Sequence, residues 1–186
     1  VTKSVWGGAG KYTYDMALHA ARLHFEIAVA AGGRGALATR LADADIPYIE
    51  IPWLGRDIAF AGDCIAFFSI LKTLFRFRPH IFHASSPKAA GLGGLAFFIY
   101  RILFLRFDSQ SVYTVHGWVF NEPRPKWQKT LLKNFSRFIC LFYGAVIVLS
   151  HRDRDIALEY RIAPKRKLAL VPNGIDPSSV EFLDRD

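Results

Sequence analysis

"HIFHASSPKAAGLGGLAFFIYRILFLRFDSQSVYTVHG", residues 80–117, reads as a strand, a helix and a strand in succession. "HIFHASS" (80–86) is a short apolar run that turns polar at its end. Pro87 then stands at a first-turn position, where its missing N–H is no loss, and the spacing predicts a helix over 87–106. "SVYTVHG" (111–117) is again strand-like. Two strands joined by a helical crossover of this length lie parallel, because a tight turn can only reverse the chain.

The same alternation continues on both sides. Towards the C-terminus come a helix over 125–140, the strand "GAVIVLS" (144–150), a short helix over 152–161 and the strand "KLALVPNG" (167–174). Towards the N-terminus, "VTKS" (1–4) is the tail of a first strand and is followed by a helix running to about Arg22. "FEIAVAAG" (25–32) is a continuous apolar run closed by glycine, hence a buried strand. A helix over 35–45, the strand "IPYIEIP" (46–52) and a long helix over 59–77, ended by Pro79, complete the set. The expected fold is α/β: a Rossmann-like, three-layer domain with one mostly parallel sheet and helices on both faces.

Composition narrows the partners. The chain has 186 residues, 52% of them hydrophobic, which excludes disorder and suffices for a sizeable core. Its net charge is +8, with basic residues interleaved among aromatics, as in "LKTLFRFRP" and "KNFSRFICLFY". Those bases are scattered over several helices and no nucleic-acid motif is present, which leaves either ordinary solvated lysines and arginines beside buried aromatics or a surface for an anionic membrane. A spanning helix is not expected, since Arg101 and Arg106 interrupt 91–107 and 138–149 is too short. Cys64 and Cys140 sit in apolar runs and read as reduced core residues of a cytoplasmic protein. Val1 already lies inside a strand, so a few residues are expected to precede it.

Ligands of open parallel sheets bind beyond the carboxyl ends of the strands. That rule selects Gly7 and Gly8, then Ser85, Ser86 and Lys88, then His116 and Gly117, Ser150, and Asn173. The glycines belong to "SVWGGAGKYTYD" (4–15), which resembles a phosphate cradle but is not a P-loop: Val5 and Tyr12 stand where that motif needs glycine and a small hydroxyl. Tyr14 likewise breaks the dinucleotide fingerprint. Gly7 and Gly8 form either a tight turn or a bare backbone offering N–H groups to an anion. Lys88 sits against the dipole at a helix start, as a solvated side chain or as a partner for a phosphate or carboxylate. His19, His24, His80 and His83 read as structural. His116 ends a strand at the rim; its imidazole can meet a sugar hydroxyl, and the indole of Trp118 can stack on a sugar face. His151, beside Ser150, is a weaker candidate. There is no G-x-S-x-G elbow, no Cys–His pair, no carboxylate dyad and no metal-ligand spacing.

"WGGAGKYTYDMA", "LADADIPYIEIP", "RDI" (56–58), "FRPHIFHASSPKAAGLGG", "VYTVHGWVFNE", "AVIVLS" and "VPNGID" occur in that order. With them the chain resembles the N-terminal domain of group 1 (family 4) glycosyltransferases of the GT-B architecture. The resemblance implies two facing Rossmann-like domains: residues 1–171 hold the acceptor, and 172–186 open the linker to a C-terminal donor-binding domain or partner chain that this sequence lacks. It implies transfer from a nucleotide-sugar co-substrate with retention, without metal or other cofactor, the diphosphate's own oxygen taking the acceptor's proton. Gly7 and Gly8 would lie near the donor diphosphate, and His116 would be the catalytic cleft histidine. Ser86, Lys88, Gly117, Trp118, Glu122 and Ser150 would line the acceptor side; Asn173, Gly174 and Asp176 would form the linker turn. Similar bacterial enzymes build surface polysaccharides on lipid-linked acceptors. The apolar helix 87–106 then suits docking on the inner leaflet, or else burial against the missing domain or a neighbouring subunit. This half alone would be inactive. A non-catalytic glycan- or membrane-binding module is the rival; a sugar-nucleotide epimerase would need acid–base carboxylates that are not apparent.

Overall fold

The computed structural model describes residues 1–55 and 57–174. At its centre β3 (Ile81–Ala84) and β4 (Gln110–Val115) pair in parallel, Ile81 opposite Gln110 and Ala84 opposite Tyr113, with α4 (Pro87–Leu103) crossing between them. β5 (Ala145–Val148) and β6 (Leu168–Leu170) extend the sheet in parallel, Val115 lying opposite Val148 and Val148 opposite Leu170. α5 (Lys126–Leu141) and α6 (His151–Glu159) are the crossovers. On the N-terminal side stand α1 (Gly8–Arg22), β1 (Val29–Ala31), α2 (Ala36–Asp43), β2 (Tyr48–Glu50) and α3 (Phe60–Phe77).

The expected single sheet is two parallel ones. β1 and β2 form a separate pair, and β3-β4-β5-β6 a four-stranded sheet. The expected first strand, residues 1–4, makes one parallel bridge, Lys3 with Gly32, supported by Ser4 N–H to the Gly32 carbonyl at 3.0 Å. Toward β3 it is tied through side chains, Thr2 Oγ1 to Ser86 Oγ at 2.7 Å. An apolar cavity of about 410 Å³ separates the two sheets, lined in part by Met16, Val29, Leu74 and Phe82. Apolar periodicity states which face a strand buries, not which neighbour it pairs with.

Alternation along the strands sets the layers. Phe82 of β3 stacks on Phe97 of α4, and Tyr113 of β4 packs on Tyr143, whose hydroxyl donates to the Ala90 carbonyl of α4 at 2.8 Å. The intervening residues His83 and Thr114 meet Tyr12 of α1 instead. Successive residues of a strand point to opposite faces, so α4 and α1 cover opposite sides. α4 lies close because its inner face is small: a Cβ on Gly93 would press on the Phe82 ring, and one on Gly94 on Tyr143. Phe97, fully buried there, contributes about 2–3 kcal/mol by leaving water.

Cys140 is buried, and burial pushes its thiol up to about 12. Cys64, expected in the core, is exposed. The buried stripe of α3 runs Gly62, Ala66, Ile70, Leu74, and residue 64 falls off that four-residue row. Several helices also carry apolar side chains outward, among them Phe98 and Ile102 on α4 and Trp127, Leu131, Phe135 and Phe138 on α5. Among the described residues no helix is long and apolar enough to cross a membrane.

Candidate active site at the carboxyl rim of the sheet

His116 follows β4 directly, and the chain turns at Gly117 with φ +100°, a backbone that disfavours any residue with a Cβ. Two residues upstream on the same face, Thr114 is completely buried. Its hydroxyl oxygen lies 2.8 Å from His83 Nε2 and 3.1 Å from the Tyr12 hydroxyl. The Tyr12 ring in turn meets the His116 imidazole edge to face, with centroids 4.9 Å apart. Burial first, with the charge of nearby His116 adding to it, pushes His83 down to about 4. Burial also lowers His116 below its ordinary value of 6.5, so both imidazoles are neutral at pH 7.

The glycine loop sorts into two kinds of glycine. A Cβ on Gly10 would run into the Val5 carbonyl oxygen, so this third glycine is there for close packing. Gly7 and Gly8 face open space, with no atom within 4 Å of where a Cβ would stand. Gly7 caps α1 in an extended conformation; no side chain caps the helix and its first turn carries no acid. The leading N–H groups of a 15-residue helix are therefore left for solvent or an anion.

The remaining predicted residues divide. Ser86 stands at the N-cap position of α4 but its hydroxyl is bound to Thr2 rather than to the helix, while Ser85 is buried. Lys88 is ion-paired with Asp63 at 2.6 Å and also donates to the Asp57 carbonyl, so of the two readings of this lysine the carboxylate partner is realised within the chain. Ser150 caps α6, accepting from Asp153 N–H at 3.1 Å and donating to its carboxylate at 2.7 Å. Glu122 is exposed and paired with Arg124. His151, Asn173 and Gly174 are exposed; Asp176 lies outside the described residues. Trp118 is a correction. It is 4% exposed, its Nε1–H donates to the Asp153 carbonyl at 2.8 Å, and its ring stacks on Phe120, so no face is open to a sugar. A short helical turn, Val119–Asn121, folds it inward.

Sequence reasoning does not single out Tyr12, His83 and Thr114 for the site. The available signal is Thr114 two residues before His116, which on a strand means the same face, and a histidine on the neighbouring strand. Among the described residues no three His, Cys, Asp or Glu side chains come together as metal ligands.

The family model described as Glycosyltransferase Family 4 matches residues 6–179. A curated relative, the UDP-Gal:alpha-D-GlcNAc-diphosphoundecaprenol alpha-1,3-galactosyltransferase of Escherichia coli, is 26% identical over 138 residues, covering 74% of this chain and 34% of the relative. The fold is similar to that of Anabaena Alr3699/HepE in complex with UDP and glucose, with TM-score 0.70 and 19% identity over 94% of this chain and 43% of that one. It is also similar to a putative UDP-N-acetylglucosamine 2-epimerase from Listeria monocytogenes, with TM-score 0.57 and 14% identity over 88% of this chain and 42% of that one. At such identities the structural likeness is one of fold, common to transferase and epimerase alike. The chain spans about a third of the curated relative and under half of these solved structures.

Proposed function

The chain belongs to glycosyltransferase family 4, with the fold of one Rossmann-like half of a GT-B enzyme, and from that premise we propose that it is the acceptor-holding half of a retaining transferase. The enzyme moves a hexose from a nucleotide-sugar to a lipid-linked glycan during synthesis of a bacterial surface polysaccharide. The carrying observation is the family match across residues 6–179, together with a relative that acts on a diphosphoundecaprenol-linked sugar. The nucleotide is held by a second domain or partner chain facing this rim, and this half alone does not turn over. Metal is not required on this reading. Work on the membrane-borne acceptor takes place at the cytoplasmic face, where the outward apolar side chains of α4 and α5 rest on the leaflet.

The chemistry follows from the rim groups. The open N–H groups at Gly7 and Gly8 face the donor diphosphate and stabilise charge as it departs. A neutral His116 orients the attacking hydroxyl by hydrogen bonding, and the diphosphate oxygen takes that hydroxyl's proton. Ser86, Gly117, Glu122 and Ser150 border the acceptor path, while Lys88 supports it through Asp63. Asn173, Gly174 and Asp176 lead into the linker.

Joining the chain to a donor-binding half tests this. The assembled protein should transfer labelled galactose from UDP-galactose to an N-acetylglucosamine-diphospholipid, and His116→Ala should cut turnover at least tenfold. Transfer at the ordinary rate in His116→Ala would remove His116 from the mechanism. Failure to transfer any of a panel of UDP-hexoses, with the epimerised nucleotide-sugar as the product instead, would overturn the transferase assignment.

A further inference from the structure

We propose that Tyr12 is the positioning residue of His116, tethered by its hydroxyl to Thr114 while its ring holds the imidazole edge-on. The inference rests on the reading of His116 just given. It deepens that reading by assigning a role to a residue whose place in the glycine loop is otherwise unexplained.

The geometry is that of a side chain laid along a strand. Thr114 and His116 share one face of β4 and its extension, and two residues of strand span about 6.6 Å. A tyrosine bridges that span: its hydroxyl is 3.1 Å from Thr114 Oγ1, and its ring centroid is 4.9 Å from that of His116 at 77°. Its neighbours on α1 are occupied locally. Lys11 pairs with Asp15 at 2.8 Å, and the Thr13 hydroxyl returns to the Ala9 carbonyl at 2.8 Å. Among the described residues neither ring nitrogen of His116 takes a hydrogen bond, so ring packing orients the imidazole and leaves both nitrogens free for a ligand.

Thr114 is the anchor. A hydroxyl carries one proton and two lone pairs, so it serves Tyr12 and His83 together. Its complete burial fixes that hydroxyl against competition from water. The titratable groups facing this cluster are Tyr12 from α1, His83 from β3 and His116 at the end of β4. Phenylalanine at position 12 would keep the ring and lose the tether; alanine would lose both.

The test reads the His116 imidazole directly by NMR titration of the protein and of Tyr12→Phe, Tyr12→Ala and Thr114→Val. In Tyr12→Ala the ring-current displacement of the His116 ring protons should vanish and its titration should rise toward 6.5. Tyr12→Phe and Thr114→Val should move the same signals to the same intermediate position, and the double variant no further than either. Unchanged His116 signals in a folded Tyr12→Ala overturn the proposal. If that variant does not fold, the other two decide: equal, non-additive shifts support the tether, and no shift in either overturns it. In the assembled transferase, Tyr12→Phe should lower kcat about tenfold at unchanged KM. Full transfer by His116→Ala would sink the catalytic reading and leave the NMR result standing, so the two failures are distinguishable.

Discussion

Lys88 and Asp63 form an ion pair of 2.6 Å between the first turns of α4 and α3, with side chains only 16% and 18% exposed. The cation that the helix dipole disfavours is held there by a carboxylate, which also accepts from Ala59 N–H at 3.3 Å and so caps α3. The pair joins the start of α3 to the start of α4, the helices that follow β2 and β3.

Breaking that pair should therefore cost stability. Lys88→Met leaves a half-desolvated carboxylate, and Asp63→Asn a half-desolvated ammonium; each should lower the unfolding free energy by about 1–3 kcal/mol. The double variant Lys88→Met/Asp63→Asn should lose less than the sum of the two single variants. Denaturant melts check this, and strict additivity would show that the two charges do not interact.

The glycines of the opening loop should separate by role. Gly10→Ala forces a methyl against the Val5 carbonyl, and the backbone shift should cost about 1–3 kcal/mol. Gly8→Ala meets open space and should leave the melting temperature within a degree or two, since alanine is the better helix former. Equal losses in the two variants would contradict this assignment.

Acid should destabilise the fold through His83. Its pKa is about 4 when folded and 6.5 when free, so between those values the unfolded chain binds more protons and stability falls as pH drops from 6.5 to 4. The full window is worth about 3 kcal/mol at 1.4 kcal/mol per pH unit. His83→Gln should flatten that part of the curve in urea unfolding followed from pH 7 to pH 4. An undiminished acid slope would place the titration elsewhere.

The outward apolar face of α5 should bind anionic vesicles. Phe98, Phe138 and Phe142 form one aromatic chain from α4 to α5, and Lys126 and Lys129 lie on the same helix as the exposed Trp127 and Leu131. Co-sedimentation with phosphatidylglycerol vesicles should weaken with salt and disappear in Leu131→Glu/Phe135→Glu. Undiminished binding by that double variant would move the docking face away from α5.

The amino-acid sequence by itself determined the order of elements and their parallel sense. These follow from local facts: the period of apolar residues, a proline opening α4, glycines before α1, and the length of each crossover. It also determined the family. Only the tertiary structure decided what meets what. Residues 1–4 make a single bridge, to Gly32 just after β1, Trp118 turns inward onto Asp153, Cys64 falls on the outer side of α3, and Lys88 finds Asp63. Tyr12 and Thr114 are 102 residues apart, and their hydrogen bond exists only because α1 packs across β4. Pairing, burial and ion contact are set by neighbours distant in the chain, and a local pattern carries no information about them.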